Sequence, residues 1–340
     1  MIIRPFLKRK IKILSVDGGG IRGYIPALIL SELERRLGEN GNKKPLARLF
    51  DLMAGTSTGS IVTTFLSAPK QMANTAFSDS EAAFTAEDIA DMYEDHGLDI
   101  FPRRIFHQFQ QMRHAFTEKY NDGNLSELLT SYLGRRTVHG ALTNLLIPAF
   151  DIERNAPVFI KKVPSLRPDK YIPDYYMSDA VRASSAAPTY FEPVRVSSVD
   201  GSETRALIDG GIFANNPAMC AFVEAQKVFP RAKKYVILSI GTGMFSRNWS
   251  YEQVKDWGVL EWLMPSKGVP ATAMMSTGLS RTVDYQLTHL PGVEYHRINI
   301  ELEECSNGMD DASEENMRCL RLRAEEAIRR HEETIHRIVS

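Results

Sequence analysis

The sequence predicts an α/β fold: a three-layer sandwich with a mostly parallel central sheet. Two observations carry that prediction. Short apolar runs suited to buried strands alternate with longer stretches of helical periodicity. Most strand-to-strand connections are also long, as parallel pairing with helices on both faces requires.

Taken in order, Lys12–Val16 is a buried-strand run leading into Asp17-Gly-Gly-Gly-Ile-Arg-Gly23. A helix follows from Ile25 to Leu37, with Leu28, Ile29, Leu33 and Leu37 on its apolar side and Gly38 ending it. Asp51–Gly55 is a second short strand, running through Gly55-Thr-Ser57-Thr-Gly59 into a helix-compatible run holding Ile61, Val62, Phe65 and Leu66. Residues 67–84, rich in Ala, Ser and Asn, read as a surface loop or flap, and Thr85-Ala-Glu-Asp88 as a capped helix start. The stretch Phe101–Phe116 mixes Phe, His, Gln and Arg, as an interaction surface or a loop with buried aromatics would, and burial is the favoured reading.

Asn124–Leu133 reads as a short helix, and Asn144–Ile152 with Pro157–Ile160 as paired strands around Asp151–Ala156. Ser178–Ser185 is a small-residue helix broken at Pro188. Arg205–Ile208 is a strand, and Asp209–Pro217 turns sharply into a helix over Ala218–Val228. Tyr235–Ile240 is a buried strand ending at Gly241-Thr-Gly243. Trp249, Trp257 and Trp262 then cluster with Leu260, Leu263 and Met264, a composition that suits a lipid–water interface or a packed loop equally. Met317, Leu320, Ala324, Ala327, Ile328 and Ile335 recur at helical spacing and predict a packed surface helix.

At 340 residues and 43% hydrophobic composition the chain can bury a large core, and no repeat or low-complexity tract divides it. A net charge of −1 gives no basic field for DNA or RNA. Cys220, Cys305 and Cys319 lie far apart without CxxC spacing, which argues against a disulfide framework or a zinc site and for a reducing compartment. The longest apolar runs, Ile25–Leu30 and Leu145–Phe150, fall far short of the roughly 18 residues that span a bilayer. Arg4, Lys8, Arg9, Lys10 and Lys12 form a basic arm with no secretory core behind it, read as a solvated arm in preference to a membrane-surface contact. The expectation from these features is a soluble, cytoplasmic protein.

The chemistry gathers on three turns. Glycines two before and two after Ser57 let the chain reverse sharply and present the hydroxyl at a strand-to-helix turn, a nucleophile elbow; on its own GxSxG also matches inert Ser/Thr/Gly loops. The Gly18, Gly19 and Gly20 loop offers bare backbone N–H groups for an oxyanion, and Arg22 adds a charge for orienting a phosphate or fixing the loop. Both turns follow predicted strands, so a parallel sheet can bring them to one carboxyl edge. Asp209 also ends a strand, and Gly210 and Gly211 behind it would let its carboxylate approach Ser57. The base stays contested between Asp209 and a Ser-Asp-His arrangement using His289 or His296, neither of which sits in a glycine turn.

Gly18-x-Gly20-x-x-Gly23 also matches a dinucleotide fingerprint literally, but the acidic residue expected about 20 residues on is replaced by a polar turn around Gly38–Lys44. Nucleotide binding by this loop is therefore disfavoured.

The joint occurrence of Asp17-Gly-Gly-Gly-Ile-Arg-Gly23, Gly55-Thr-Ser-Thr-Gly59 and Asp209-Gly-Gly211, in this order, resembles the patatin-like phospholipase family. Ala183-Ser-Ser-Ala-Ala-Pro188, Asn215-Asn-Pro217 and Ser239-Ile-Gly-Thr-Gly243 extend the likeness over residues 10–300, with 301–340 as a helical extension packed on the same domain. The resemblance implies a Ser57–Asp209 dyad without histidine, an oxyanion hole at Gly18–Gly20, glycerophospholipid acyl esters as substrates, and no metal or cofactor. The third motif is Asp-Gly-Gly where many relatives carry Asp-Gly-Ala. The chain is also similar to bacterial effectors of this family that cyclic nucleotides switch on in antiphage defence. The partners implied are then a phospholipid at the inner membrane, on which the cytoplasmic protein would act peripherally, and a cyclic dinucleotide activator, with monomer and homo-oligomer both open. The rival class is a non-catalytic lipid-binding signalling module. A lid built from residues 67–84 or from the tryptophan segment is left undecided.

Overall fold

A computed structural model of the chain describes residues 9–42, 44–70, 81–100, 122–164, 171–188, 190–245, 248–263 and 270–340. The core of the 67–84 loop, the stretch Phe101–Phe116, the start of the basic arm and Met264 lie outside the described residues.

The elements run β1 (Lys10–Val16), α1 (Tyr24–Glu39), β2 (Leu52–Gly55), α2 (Thr58–Ser67), α3 (Ala86–Ile100), α4 (Asp122–Leu133), β3 (Asn144–Asp151), β4 (Ala156–Lys162) and α5 (Met177–Ser184). They continue with β5 (Val194–Ser197), β6 (Thr204–Asp209), α6 (Gly211–Ala214), α7 (Ala218–Val228), β7 (Lys234–Ile240), α8 (Tyr251–Val254) and α9 (Val259–Leu263). The chain ends with α10 (Pro270–His289), β8 (Val293–Ile298), α11 (Glu314–Arg330) and α12 (Glu332–Val339). The predicted cap before α3 is present: Thr85 N–H donates to the Asp88 carboxylate at 2.7 Å, and Asp88 N–H to Thr85 Oγ1 at 3.1 Å.

These strands form one eight-stranded sheet. Its centre, β3-β2-β1-β7-β8, is parallel throughout. Antiparallel pairings add β4 along β3, β6 to the end of β3, and β5 to β6. Strand alternation divides the apolar residues between two faces. Ile11, Ile13, Leu52, Ala54 and Leu146 pack under Ala221, Phe222 and Ala225 of α7 and Leu287 of α10. Leu14, Val16, Met53, Leu145 and Leu238 pack against α1, α2, α3 and α11 on the other face. The layers are helix, sheet, helix.

Two features of this sheet place the site. Val16 pairs with both Gly55 and Ile240, so the turns after β1, β2 and β7 leave from one row at one edge. β3 supplies the other. β2 pairs with Asn144–Leu146 and β6 with Ala149–Asp151, while β4 pairs with Leu145–Asp151. A strand has two hydrogen-bonding edges, so β2 and β6 share one and meet head to head across Ile147 and Pro148. Ile152 N–H donates to Ala206 O at 3.0 Å, and by alternation Pro148 faces the same way. The N–H that proline lacks would have pointed into this gap, so the ladder loses no bond.

The cysteine expectation is overturned: Cys305 and Cys319, 14 residues apart, form a disulfide, leaving Cys220 as the free thiol. The chain after β8 doubles back before α11, so two positions distant in sequence become neighbours, and the cysteine count no longer argues for a reducing compartment. Reduction is expected to lower stability by roughly 3 kcal/mol for a closed loop of about 15 residues. Thermal unfolding with and without reductant checks this, and identical melting temperatures would refute it. The predicted C-terminal helix is two helices, α11 and α12, interrupted at His331. Their buried residues Leu320, Ala324, Ala327, Ile335 and Ile338 belong to the same core as α1.

Candidate active site

Ser57 stands between β2 and α2 with φ 54° and ψ −125°, one of two non-glycine residues with positive φ among the described residues. Such a conformation costs about 1–3 kcal/mol and persists where the surroundings over-determine it. Here they do. A Cβ at Gly59 would collide with the Val16 carbonyl, and one at Gly55 with the Gly59 carbonyl, so the elbow closes only with glycine at both places. Ser57 O accepts from Ser60 N–H at 2.8 Å, while Ser57 N–H donates to Ser184 Oγ at 3.0 Å. Ser184 Oγ in turn donates to Pro148 O at 2.6 Å, in the gap between β2 and β6.

Asp209 arrives at that gap from the opposite direction, because β6 is antiparallel to β3. Its carboxylate faces the Ser57 hydroxyl, which pulls the Asp209 pKa down, and Oδ1 accepts Gly211 N–H at 2.6 Å. Gly210 lies so close to Pro148 that a Cβ would strike its carbonyl. Asp209 is 5% exposed. Burial pushes its pKa up to about 6, against the opposing pull of the Ser57 hydroxyl and the Gly211 hydrogen bond.

The glycine loop lies beside the elbow, with Gly18 against Ser57 Cβ. Gly18 N–H is already engaged, donating to Asn215 O at 3.0 Å. The N–H groups of Gly19 and Gly20 have no acceptor among the described residues. Arg22 is buried and its Nε donates to Gly19 O at 3.1 Å, with the guanidinium over the Phe245 ring. Burial lowers its pKa to about 10, so it remains a cation at neutral pH. Gly23 leaves the room that Thr58 and Tyr93 fill. Gly20 abuts Met309, whose carbonyl accepts Ile21 N–H at 2.8 Å.

Asp17 anchors the loop at its root. Arg297 on β8 grips its carboxylate with both terminal nitrogens, at 3.0 and 2.6 Å, and also donates to Ser239 Oγ at 2.8 Å. Burial pushes the Asp17 carboxyl up and the arginine pulls it back. Thr56 Oγ1 donates to Ala214 O at 2.7 Å, tying the elbow to the turn after Asp209.

The two histidines are held elsewhere. His289 Nδ1 lies 2.7 Å from Tyr285 O on an exposed part of α10, and His296 Nε2 lies 3.1 Å from Glu294 Oε1. Among the described residues no group of three or more His, Cys, Asp or Glu side chains is placed to hold a metal ion. Sequence reasoning missed Ser184, Asn215, Thr242 and Arg297. The first three stand inside stretches singled out in the sequence, while Arg297 in its strand carried no signal.

The family described as patatin-like phospholipase matches residues 14–222. Patatin-like protein 3 of Arabidopsis thaliana is 33% identical over 304 residues, covering 83% of this chain and 71% of that protein. Patatin-like protein 2 of Oryza sativa subsp. indica is 32% identical over 344 residues, covering 92% of this chain and 82% of its own length. A Solanum tuberosum protein named "Probable inactive patatin-3-Kuras 1" is 32% identical over 337 residues, covering 92% of this chain and 84% of that one. A relative so named leaves activity to be argued from each chain's own site.

Proposed function

The chain belongs to the patatin-like phospholipase family, and from that premise we propose that it is a serine-dependent lipid acyl hydrolase working through a Ser57–Asp209 dyad. The observation that carries the proposal is a serine held at φ 54° whose hydroxyl faces and acts on a buried carboxylate. An ordinary carboxylate is a weak base at neutral pH, whereas one raised to about 6 is matched to accept and return a proton there.

Ser57 Oγ attacks the ester carbonyl carbon and its proton passes to Asp209. The carbonyl oxygen becomes an oxyanion facing the Gly19 and Gly20 N–H groups and the N-terminal end of α2. Arg22 grips Gly19 O, and in a planar trans peptide that fixes where the Gly20 N–H points. Collapse returns the proton from Asp209 to the departing lysolipid oxygen. Water then attacks the acyl-enzyme, gives its proton to Asp209, and the fatty acid leaves as Ser57 recovers the proton.

The test is fatty acid release from phospholipid micelles followed by mass spectrometry, with a fluorophosphonate label mapped to its peptide. Label on Ser57 and release that needs Ser57 support the reading; equal release without Ser57 removes it. The finer part, activation by a cyclic dinucleotide in antiphage defence, is supported by the sequence resemblance alone. The same assay with and without cyclic dinucleotide decides it, since constitutive release counts against a switch.

The substrate surface is proposed to be met by α8, α9 and α10. Among the described residues no helix is long and apolar enough to cross a membrane. Tyr251, Val259, Leu260 and Met275 are 75%, 74%, 72% and 65% exposed, and in the same region Trp257 meets Trp249 and Trp262 edge to face. α10 packs on α9 and on α6, the turn that follows Asp209. Replacing Val259, Leu260 and Met275 by Glu is expected to weaken vesicle sedimentation at least about tenfold for each side chain that inserts. Activity should fall far more on vesicles than on a monomeric short-chain ester; equal losses on both substrates would count against this surface.

A further inference from the structure

We propose that Thr242 is a positioning residue for this reaction, holding the Gly18–Gly19 peptide so that the Gly19 N–H faces the developing oxyanion. The inference rests on the hydrolase reading above and concerns the Gly241-Thr-Gly243 turn, which the dyad chemistry leaves without a role. A planar trans peptide carries its C=O and N–H on opposite edges, so fixing one aims the other. Gly18 O is the oxygen of the peptide whose N–H belongs to Gly19. Thr242 Oγ1 donates to that oxygen at 2.7 Å, and the other neighbour, Asn215 Nδ2, stands at 3.4 Å. The threonine bond is therefore the stronger restraint on the plane.

Thr242 is itself fixed. It is 3% exposed, and its turn is braced on both sides by Gly241 N–H donating to Ile298 O at 2.8 Å and Gly243 N–H donating to Asn299 Oδ1 at 2.9 Å. Gly243 adopts φ +86° with Leu302 packed on it, a conformation that a side chain would strain. The loop rests directly on the hydroxyl, since a Cβ at Gly19 would collide with Thr242 Oγ1. The result is one free donor held by a rigid turn between β7 and β8, strands apart from those that carry the serine and the aspartate.

The experiment compares wild type, Ser57→Ala, Thr242→Val, Thr242→Ala and Thr242→Ser on a soluble acyl ester. Valine keeps the shape and loses the hydroxyl; serine keeps the hydroxyl. Removing an oxyanion donor outright costs about 10²- to 10³-fold in kcat, so mis-aiming one is expected to cost about 10- to 100-fold in Thr242→Val with KM changed less than about twofold. Thr242→Ser should recover most of the loss. Affinity for a lipid trifluoromethyl ketone, whose adduct places an oxyanion in the hole, should fall in step with kcat. A purely structural role would lower the melting temperature and leave kcat and ketone affinity intact. If Thr242→Val does not fold, Thr242→Ala is read by the same criteria. A folded variant lacking the hydroxyl with kcat within about twofold of wild type overturns the inference, as does a serine variant as slow as valine. Wild-type turnover that does not depend on Ser57 instead removes the hydrolase reading itself.

Discussion

A Ser57→Ala protein is expected to release fatty acid at least about 10⁴-fold more slowly than wild type, on the scale seen when a nucleophilic serine is removed. Its fold should survive. Alanine at position 57 keeps the backbone at φ 54° and the N–H bond to Ser184 Oγ, so the elbow loses one hydroxyl and no scaffold. What remains after the change is binding plus the Gly19 and Gly20 amides, worth about 10³- to 10⁴-fold over water alone and far short of the intact site. Mass spectrometry of released fatty acid gives the rate, and circular dichroism confirms the fold. A folded Ser57→Ala protein with wild-type turnover would falsify the serine assignment. His289→Ala and His296→Ala serve as matched controls. Each is expected to keep turnover, because neither imidazole bonds Ser57 or Asp209 and each has its partner elsewhere, Tyr285 O and Glu294.

Asp209→Asn is expected to cost about 10²- to 10⁴-fold in activity, the range for losing a general base, while making the protein more stable at alkaline pH. The two effects share a cause. Burial raises the folded-state pKa of Asp209 from 3.8 to about 6. A raised carboxyl favours the folded state fully below the unfolded value, and that contribution is lost as pH rises through about 6. Above that pH the fold carries a buried charge at a cost of roughly 3 kcal/mol for a shift of about two units. Asparagine carries no such charge. Its melting temperature should therefore exceed wild type at pH 8, and the gap should close near pH 4. The same titration sets an acidic limb in kcat/KM, with activity rising through about pH 6 as the base deprotonates. Flat activity between pH 5 and 7 would count against Asp209 as base, and an asparagine variant less stable at pH 8 would count against the burial account.

The two cysteines at 305 and 319 illustrate where reading from sequence stops. An odd, sparse count argues against a disulfide framework, and nothing across a sequence separation of 14 reports that the chain returns on itself. The histidines show the opposite case: the absence of any glycine turn around His289 and His296 already set them apart, and their partners lie away from the serine.

The sequence by itself determined the elements and the three turns. Apolar periodicity marks β1, β2, β7, α1 and α7, and glycine marks where a chain with side chains could not turn, as at Gly55 and Gly59. These are local properties, set by backbone sterics within a few residues. The tertiary structure decided which groups in those turns remain free to act. Gly18 looked like an oxyanion donor, but its N–H is taken by Asn215, 197 residues away. Ser57 owes its strained backbone partly to Ser184, 127 residues away. Asp209 reaches the serine because β6 occupies the edge of β3 that β2 gives up. A hydrogen-bond donor can be recognised in sequence, but whether it is spent depends on which acceptor the packed chain brings within about 3 Å.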